Sequence, residues 1–254
     1  MYQNSLLKVL LMALLTIAFI SCGDEEGSST LNLDLTLSYD DNPLVAFEEQ
    51  DHPLGYKVFF TKYSMFISDI TLSGEDRSIR LSDVIFTDLL RDAVDISSAE
   101  RGQRVSFTEV PKGTYDRITF NIGVPSDLNT TAPAQYDPTT PLGNNSEYWA
   151  GWESYVFHKI EGQIDEDGDD ITDTSVALHM GSDDAFRTVV VDVPLTISDD
   201  QETLSINFDL LDILAIDGSF FDFRETKQIH SLEVLPRTFP LLDSTRDNVE
   251  VTLQ

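Results

Sequence analysis

Leu31, Leu33, Leu35 and Leu37 alternate with Asn32, Asp34 and Thr36. A period of two marks a strand with one buried and one wet face. Residues 56–72 (YKVFFTKYSMFISDITL) make a long stretch rich in β-branched and aromatic side chains. Residues 105–110 and 115–124 read as two strands joined by a Pro111-Lys112-Gly113 turn. Further strands are predicted at 155–164, 174–180, 186–197 and 249–253. Residues 204–214 fit a strand or a helix, because their apolar run has no clean period. Short strands, Gly/Pro/Asp turns and no long amphipathic helix predict an all-β fold. The expected architecture is a β-sandwich of antiparallel strands with long loops, in a single domain over residues 31–254. The polar stretch 125–147, rich in Pro, Asn and Thr, has the length of a functional loop.

The N-terminus follows another pattern. Residues 9–20 (VLLMALLTIAFI) are apolar throughout, too short for a comfortable membrane span but long enough for a signal-peptide core. The run ends in Ser21-Cys22, which resembles a bacterial lipobox. Residues 1–21 are therefore expected to be a lipoprotein signal peptide, with Cys22 acylated. Residues 22–30 are expected to be a flexible acidic tether. Asp24-Glu25-Glu26 after the Cys resembles the surface-export signal of Bacteroidetes lipoproteins. The expected location is the outer membrane, held through the N-terminal lipid, at the cell surface or on the periplasmic face.

Charge narrows the function classes. The 254 residues include 45 acidic and 16 basic side chains, a formal net charge of -29. Such a surface repels phosphate backbones and argues against nucleic-acid binding. A single Cys excludes an internal disulfide and a multi-Cys zinc site, and four His leave room for one modest imidazole site. No Ser nucleophile elbow, zinc-protease helix or Gly-rich phosphate loop is present, and no enzymatic activity is expected.

Three segments carry candidate chemistry. Both Trp residues, Trp149 and Trp152, lie three apart where the long loop enters a strand, with Tyr155 just beyond. Aromatics so placed can stack on a glycan face, line a metal, or plug the core. His179-Met180-Gly181 ends a strand. Imidazole and thioether together suit copper, but adjacent strand residues point to opposite faces. His158, inside a strand, reads as packing, whereas His52 and His230 fall in connecting segments. The acidic run 165–173 has its Gly168 in the wrong place for a calcium loop and lacks the bidentate Glu, so calcium is not expected.

Several segments in order resemble the MbnP-like family of extracytoplasmic copper-binding proteins. They are Tyr63-Ser64-Met65-Phe66-Ile67-Ser68-Asp69-Ile70, the stretch from Val110 to Val124, Asn129 and Pro141-Leu142 in the loop, Trp149, the stretch from Tyr155 to Gly162, and His179-Met180-Gly181. The second family Trp would fall at Gly151, with Trp152 shifted by one, and Ser154 stands where a Gly precedes the Tyr. The resemblance implies a β-sandwich-like secreted protein that binds copper. In some members a Trp near the metal is oxidised to kynurenine by a dihaem peroxidase-like partner of the MbnH type. By position Trp149 matches the first Trp and His179 the family His. The expectation is a copper carrier or scavenger using His179 and Trp149, with His52 or His230 as a further imidazole. The alternatives are a surface glycan- or partner-binding lipoprotein that keeps the fold without a metal and uses Trp149, Trp152 and Tyr155, and a structural or accessory lipoprotein that presents a partner.

Overall fold

The computed structural model describes residues 27–254. The signal segment, Cys22 and the tether up to Glu26 lie outside them. In chain order the strands are β1 (Ser28–Tyr39), β2 (Asn42–Pro43), β3 (Gln50–His52), β4 (Tyr56–Ser73), β5 (Ser78–Asp88), β6 (Gln103–Pro111), β7 (Gly113–Ile122) and β8 (Tyr148–Trp149). They continue with β9 (Ser154–Ile164), β10 (Thr174–Gly181), β11 (Arg187–Ile197), β12 (Gln201–Asp209), β13 (Ala215–Ile216), β14 (Ser219–Phe220), β15 (Gln228–Ile229) and β16 (Val249–Leu253). One sheet runs β16-β12-β1, with β2 and β6 along the far edge of β1. The other runs β11-β7-β4-β9-β10-β15, with β3 and β5 on β4 and β8 on β9. The two share one core, in which Tyr63 meets Phe208 and Tyr39 meets Phe60.

The all-β sandwich-like reading holds, with corrections of detail. The pairing is mixed, since β1 lies parallel to β12 and β10 parallel to β15. The strands either side of Lys112 do not pair with each other. β6 joins β1 in one sheet while β7 joins β4 and β11 in the other, so the chain crosses the sandwich there. Tyr115 braces the corner by donating its hydroxyl to the Pro111 carbonyl at 2.8 Å. Ser28, Ser29 and Thr30, which composition placed in the tether, already belong to β1. β5 escapes sequence reading because Arg80 and Asp83 interrupt its apolar positions. The ambiguous 204–214 run resolves into both forms. β12 ends at Asp209, whose carboxylate accepts the N–H groups of Leu211 and Asp212 and starts the helix Leu210–Leu214. The longest helix described is Phe239–Asp247, and no described helix is long and apolar enough to cross a membrane.

The long strand β4 organises the second sheet. Its first half pairs with β9 and its second half with β7. Asp69, at φ 54°, sits in the irregularity that separates Ser68 from Thr71 in the β7 register and is held by the Asn121 amide at 2.9 Å. β9 thereby occupies the centre of the sheet, between β4 and β10.

His52 lies at the end of this sheet, stacked on Tyr56 with ring centroids 4.3 Å apart, and its Nδ1 accepts the Leu54 N–H. Burial lowers its pKa from 6.5 to about 4. The unfolded chain therefore takes up this proton first, and stability present above pH 6.5 drains as pH falls towards 4. His52 alone is expected to remove about 2 kcal/mol between pH 6.5 and 4.5. Urea unfolding of the His52→Gln variant should show that much less acid sensitivity, and an unchanged pH profile would refute the assignment.

Candidate metal centre

β9 and β10 return antiparallel, with His179 opposite Lys159 and Met180 opposite His158. Alternation along β9 sends His158 and Ile160 into the core, and Lys159 and Glu161 to the other face. His179 shares the face of Lys159 and Glu161, whereas Met180 is buried on the core side. β15 lies parallel to β10, with Leu178 opposite Ile229. The next residue on each chain is a histidine, and the rings of His179 and His230 stand 5.0 Å apart.

The β8–β9 connection supplies the aromatics. Trp149 pairs with Ser154, and the Trp152 N–H closes the turn on the Trp149 carbonyl at 3.0 Å. The two indoles stack, with centroids 4.9 Å apart and planes 8° from parallel. Trp149 also lies 5.9 Å from the His179 ring and 5.3 Å from the His230 ring. Two glycines leave room for this. A Cβ on Gly181 would come within 2.5 Å of the Tyr155 carbonyl and 3.2 Å of the Trp152 ring, and one on Gly151 within 3.2 Å of the Trp149 indole nitrogen.

Glu161 sets the tautomer of His179. Its Oε1 lies 2.7 Å from His179 Nε2. That hydrogen bond holds the Glu161 carboxyl below the usual range, so it is ionised and only accepts. Nε2 therefore donates to the carboxylate, and Nδ1 is the nitrogen left to face a metal. Metal-ligating histidines are oriented by carboxylates in this way. The pKa of His230 is lowered, first by burial and then by the charge of His179. Two imidazoles on one ion with metal–nitrogen bonds of about 2.0 Å have centroids within roughly 6 Å of each other, so the observed spacing fits a shared ion. The Trp149 indole N–H is a donor only. Its π-face can still attract a cation held between the histidines.

The floor of the site is tied down by the long loop. The Lys159 ammonium pairs with Glu147 at 2.7 Å and donates to the Ser146 carbonyl at 2.8 Å, with both ionic side chains almost fully buried. Asn129 receives the Ser154 hydroxyl and the Tyr155 N–H, each at 3.0 Å, and gives its amide to Asp183. The Ser182 N–H then donates to Ser154 Oγ at 3.0 Å. Ser154 thus fastens the β8–β9 turn to the end of β10.

A family model described as MbnP matches residues 28–231. The chain belongs to the MbnP family. Among solved structures it is similar to MbnP from Methylosinus trichosporium, at 12% identity and a TM-score of 0.50, over 74% of this chain and 78% of that one. At that identity the likeness concerns the fold. No curated protein matches the chain. Membership of the MbnP family supports a role in metal handling.

The other expected site residues in this MbnP-family chain lie elsewhere. His52 is paired with Tyr56, beyond the Val58–Ile164 end of β9, whereas His179 faces Lys159; it does not join the histidine pair. Tyr155 is fully buried, with its hydroxyl on the Leu142 carbonyl at 2.6 Å, so it offers no face to a ligand. Trp149 and Trp152 cover one face of each other, which leaves no side-by-side sugar platform. Asp165, Asp167 and Asp169 cluster, but the Asp165 carboxylate takes the N–H groups of Gly168, Asp169 and Asp170, the role of a turn anchor. Glu161 and Asn129 are positioning residues that no local sequence pattern marks. The only signal for Glu161 is its place opposite Ala177 on the His179 face, which needs the register.

Removing Glu147 would leave Lys159 charged and buried. Glu147→Ala is expected to cost about 3–5 kcal/mol in chemical unfolding. A loss below 1 kcal/mol would show that the pair does not anchor the loop.

Proposed function

We propose that this protein binds copper between His179 and His230, as an extracytoplasmic carrier or scavenger rather than an enzyme. The juxtaposition of the two imidazoles by the parallel β10–β15 pair carries this reading. Glu161 orients His179, and Trp149 walls the ion from one side. Copper tops the divalent affinity order for nitrogen donors, so two imidazoles prefer it to zinc. Family membership supports metal handling in general, and the donor set narrows it to copper. The chain is anchored through lipid on Cys22, with the site turned to the cell surface or the periplasm. Trp149, only partly buried beside the pair, is the group on which a dihaem peroxidase-like partner of the MbnH type would act.

Copper titration against a competing chelator tests the assignment. His179→Ala is expected to weaken binding at least tenfold, His230→Ala comparably, and Trp149→Phe measurably, on the strength of imidazole donation. Binding should fade as pH falls, because protons compete for the ring nitrogens. A His179→Ala protein that binds copper as tightly at this site as the parent refutes the site.

A further inference from the structure

His158 is a buried group that the outer histidine pair does not use. It is completely buried, and neither ring nitrogen has a hydrogen-bond partner. An unpartnered imidazole in a core is costly and calls for a cause. Its neighbours across the sheet are Met65 on β4 and Met180 on β10, both directly in register with it. Residues so paired share a face, with Cβ atoms about 4.5–5.5 Å apart. All three belong to the core face, where the Tyr63 ring stands edge-on to His158 at 4.7 Å. The row therefore reads thioether, imidazole, thioether. The thioether sulfurs are soft, flexible and weak acceptors.

We propose that Met65, His158 and Met180 form a second, inner site that holds a monovalent soft cation, Cu(I). Thioether and imidazole donors select Cu(I) among biological metals. The three ligands are all neutral, and no carboxylate joins them in the row. A divalent ion would bring two uncompensated charges into the core, whereas Cu(I) brings one, which makes the desolvation cost smaller. The inner site is sealed, and loading accompanies folding or opening of the sheet. It stands independently of the outer site, because His179 and Met180, though consecutive, face opposite sides of β10.

The test uses the full chain carrying His179→Ala and His230→Ala, which removes the outer imidazoles. It is refolded anaerobically with Cu(I), then washed with a competing Cu(I) chelator. The expected result is about one retained equivalent of copper, with sulfur scattering near 2.3 Å in X-ray absorption. Adding Met65→Leu and Met180→Leu should lower the retained copper at least tenfold. These swaps nearly conserve volume and cost little stability, and circular dichroism checks the fold. Cu(I) should also raise the Tm of the outer-site variant and not that of the Leu variant. No retained copper in the outer-site variant, or equal retention after the Leu changes, would overturn the inner site. Failure of the outer site reads differently, since the parent would then hold copper only in the inner sulfur–imidazole environment and the His179→Ala change would leave it untouched.

Discussion

Strand β9 cannot slip, and both proposed metal sites depend on that. Its side chains alternate between a core that takes Ile160 and a covered outer face that takes Lys159. A shift of one residue would drive the ammonium of Lys159 into the core and strip it of Glu147. Gly162 locks the position further, because a Cβ there would come within 2.1 Å of the Phe59 carbonyl on β4. With β9 fixed, the register of β10 is fixed in turn, and that of β15 beside it. His230 meets His179 only at the end of this chain of constraints.

The strands were largely legible because their apolar residues alternate or crowd together. β9 returns onto β10 through the acidic connection between Ile164 and Thr174. That return brings Trp149 within 5.9 Å of His179. What escaped were relations that no local pattern encodes. Two strand neighbours in sequence, β6 and β7, sit in different sheets, and the corner at Lys112 does not betray this because its composition is that of a hairpin turn. His52 and His230 looked alike as isolated histidines in connections. Only the parallel pairing of two residues of β15 distinguishes them, and a two-residue strand has no period to read. His158 was read as packing from its place in a strand, and it is packed; the in-register methionines on both sides appear only once three strands are aligned.

The charge of the protein and the charge of its sites pull in different directions. A net charge of -29 draws cations of every kind towards the surface. Selectivity must therefore come from the donors and not from the field. Acidic surfaces hold hard ions loosely, and the tightest acidic cluster spends its best carboxylate, Asp165, on its own turn. Imidazole and thioether groups are the softer donors here, and those of the two proposed sites come from β4, β9, β10 and the residue after β15.

His179 and Met180 divide these donors between two environments. The outer pair has Glu161 within hydrogen-bonding distance, so a carboxylate lies close enough to offset the charge of a divalent ion. The inner row has no such group and excludes water. On the proposed reading, one strand thus presents a half-exposed nitrogen site able to meet copper in either oxidation state, and behind it a dry sulfur–nitrogen site restricted to Cu(I). The separation needs no second domain and no extra loop. It follows from the two-residue period of a strand, which sends consecutive side chains into surroundings of different polarity.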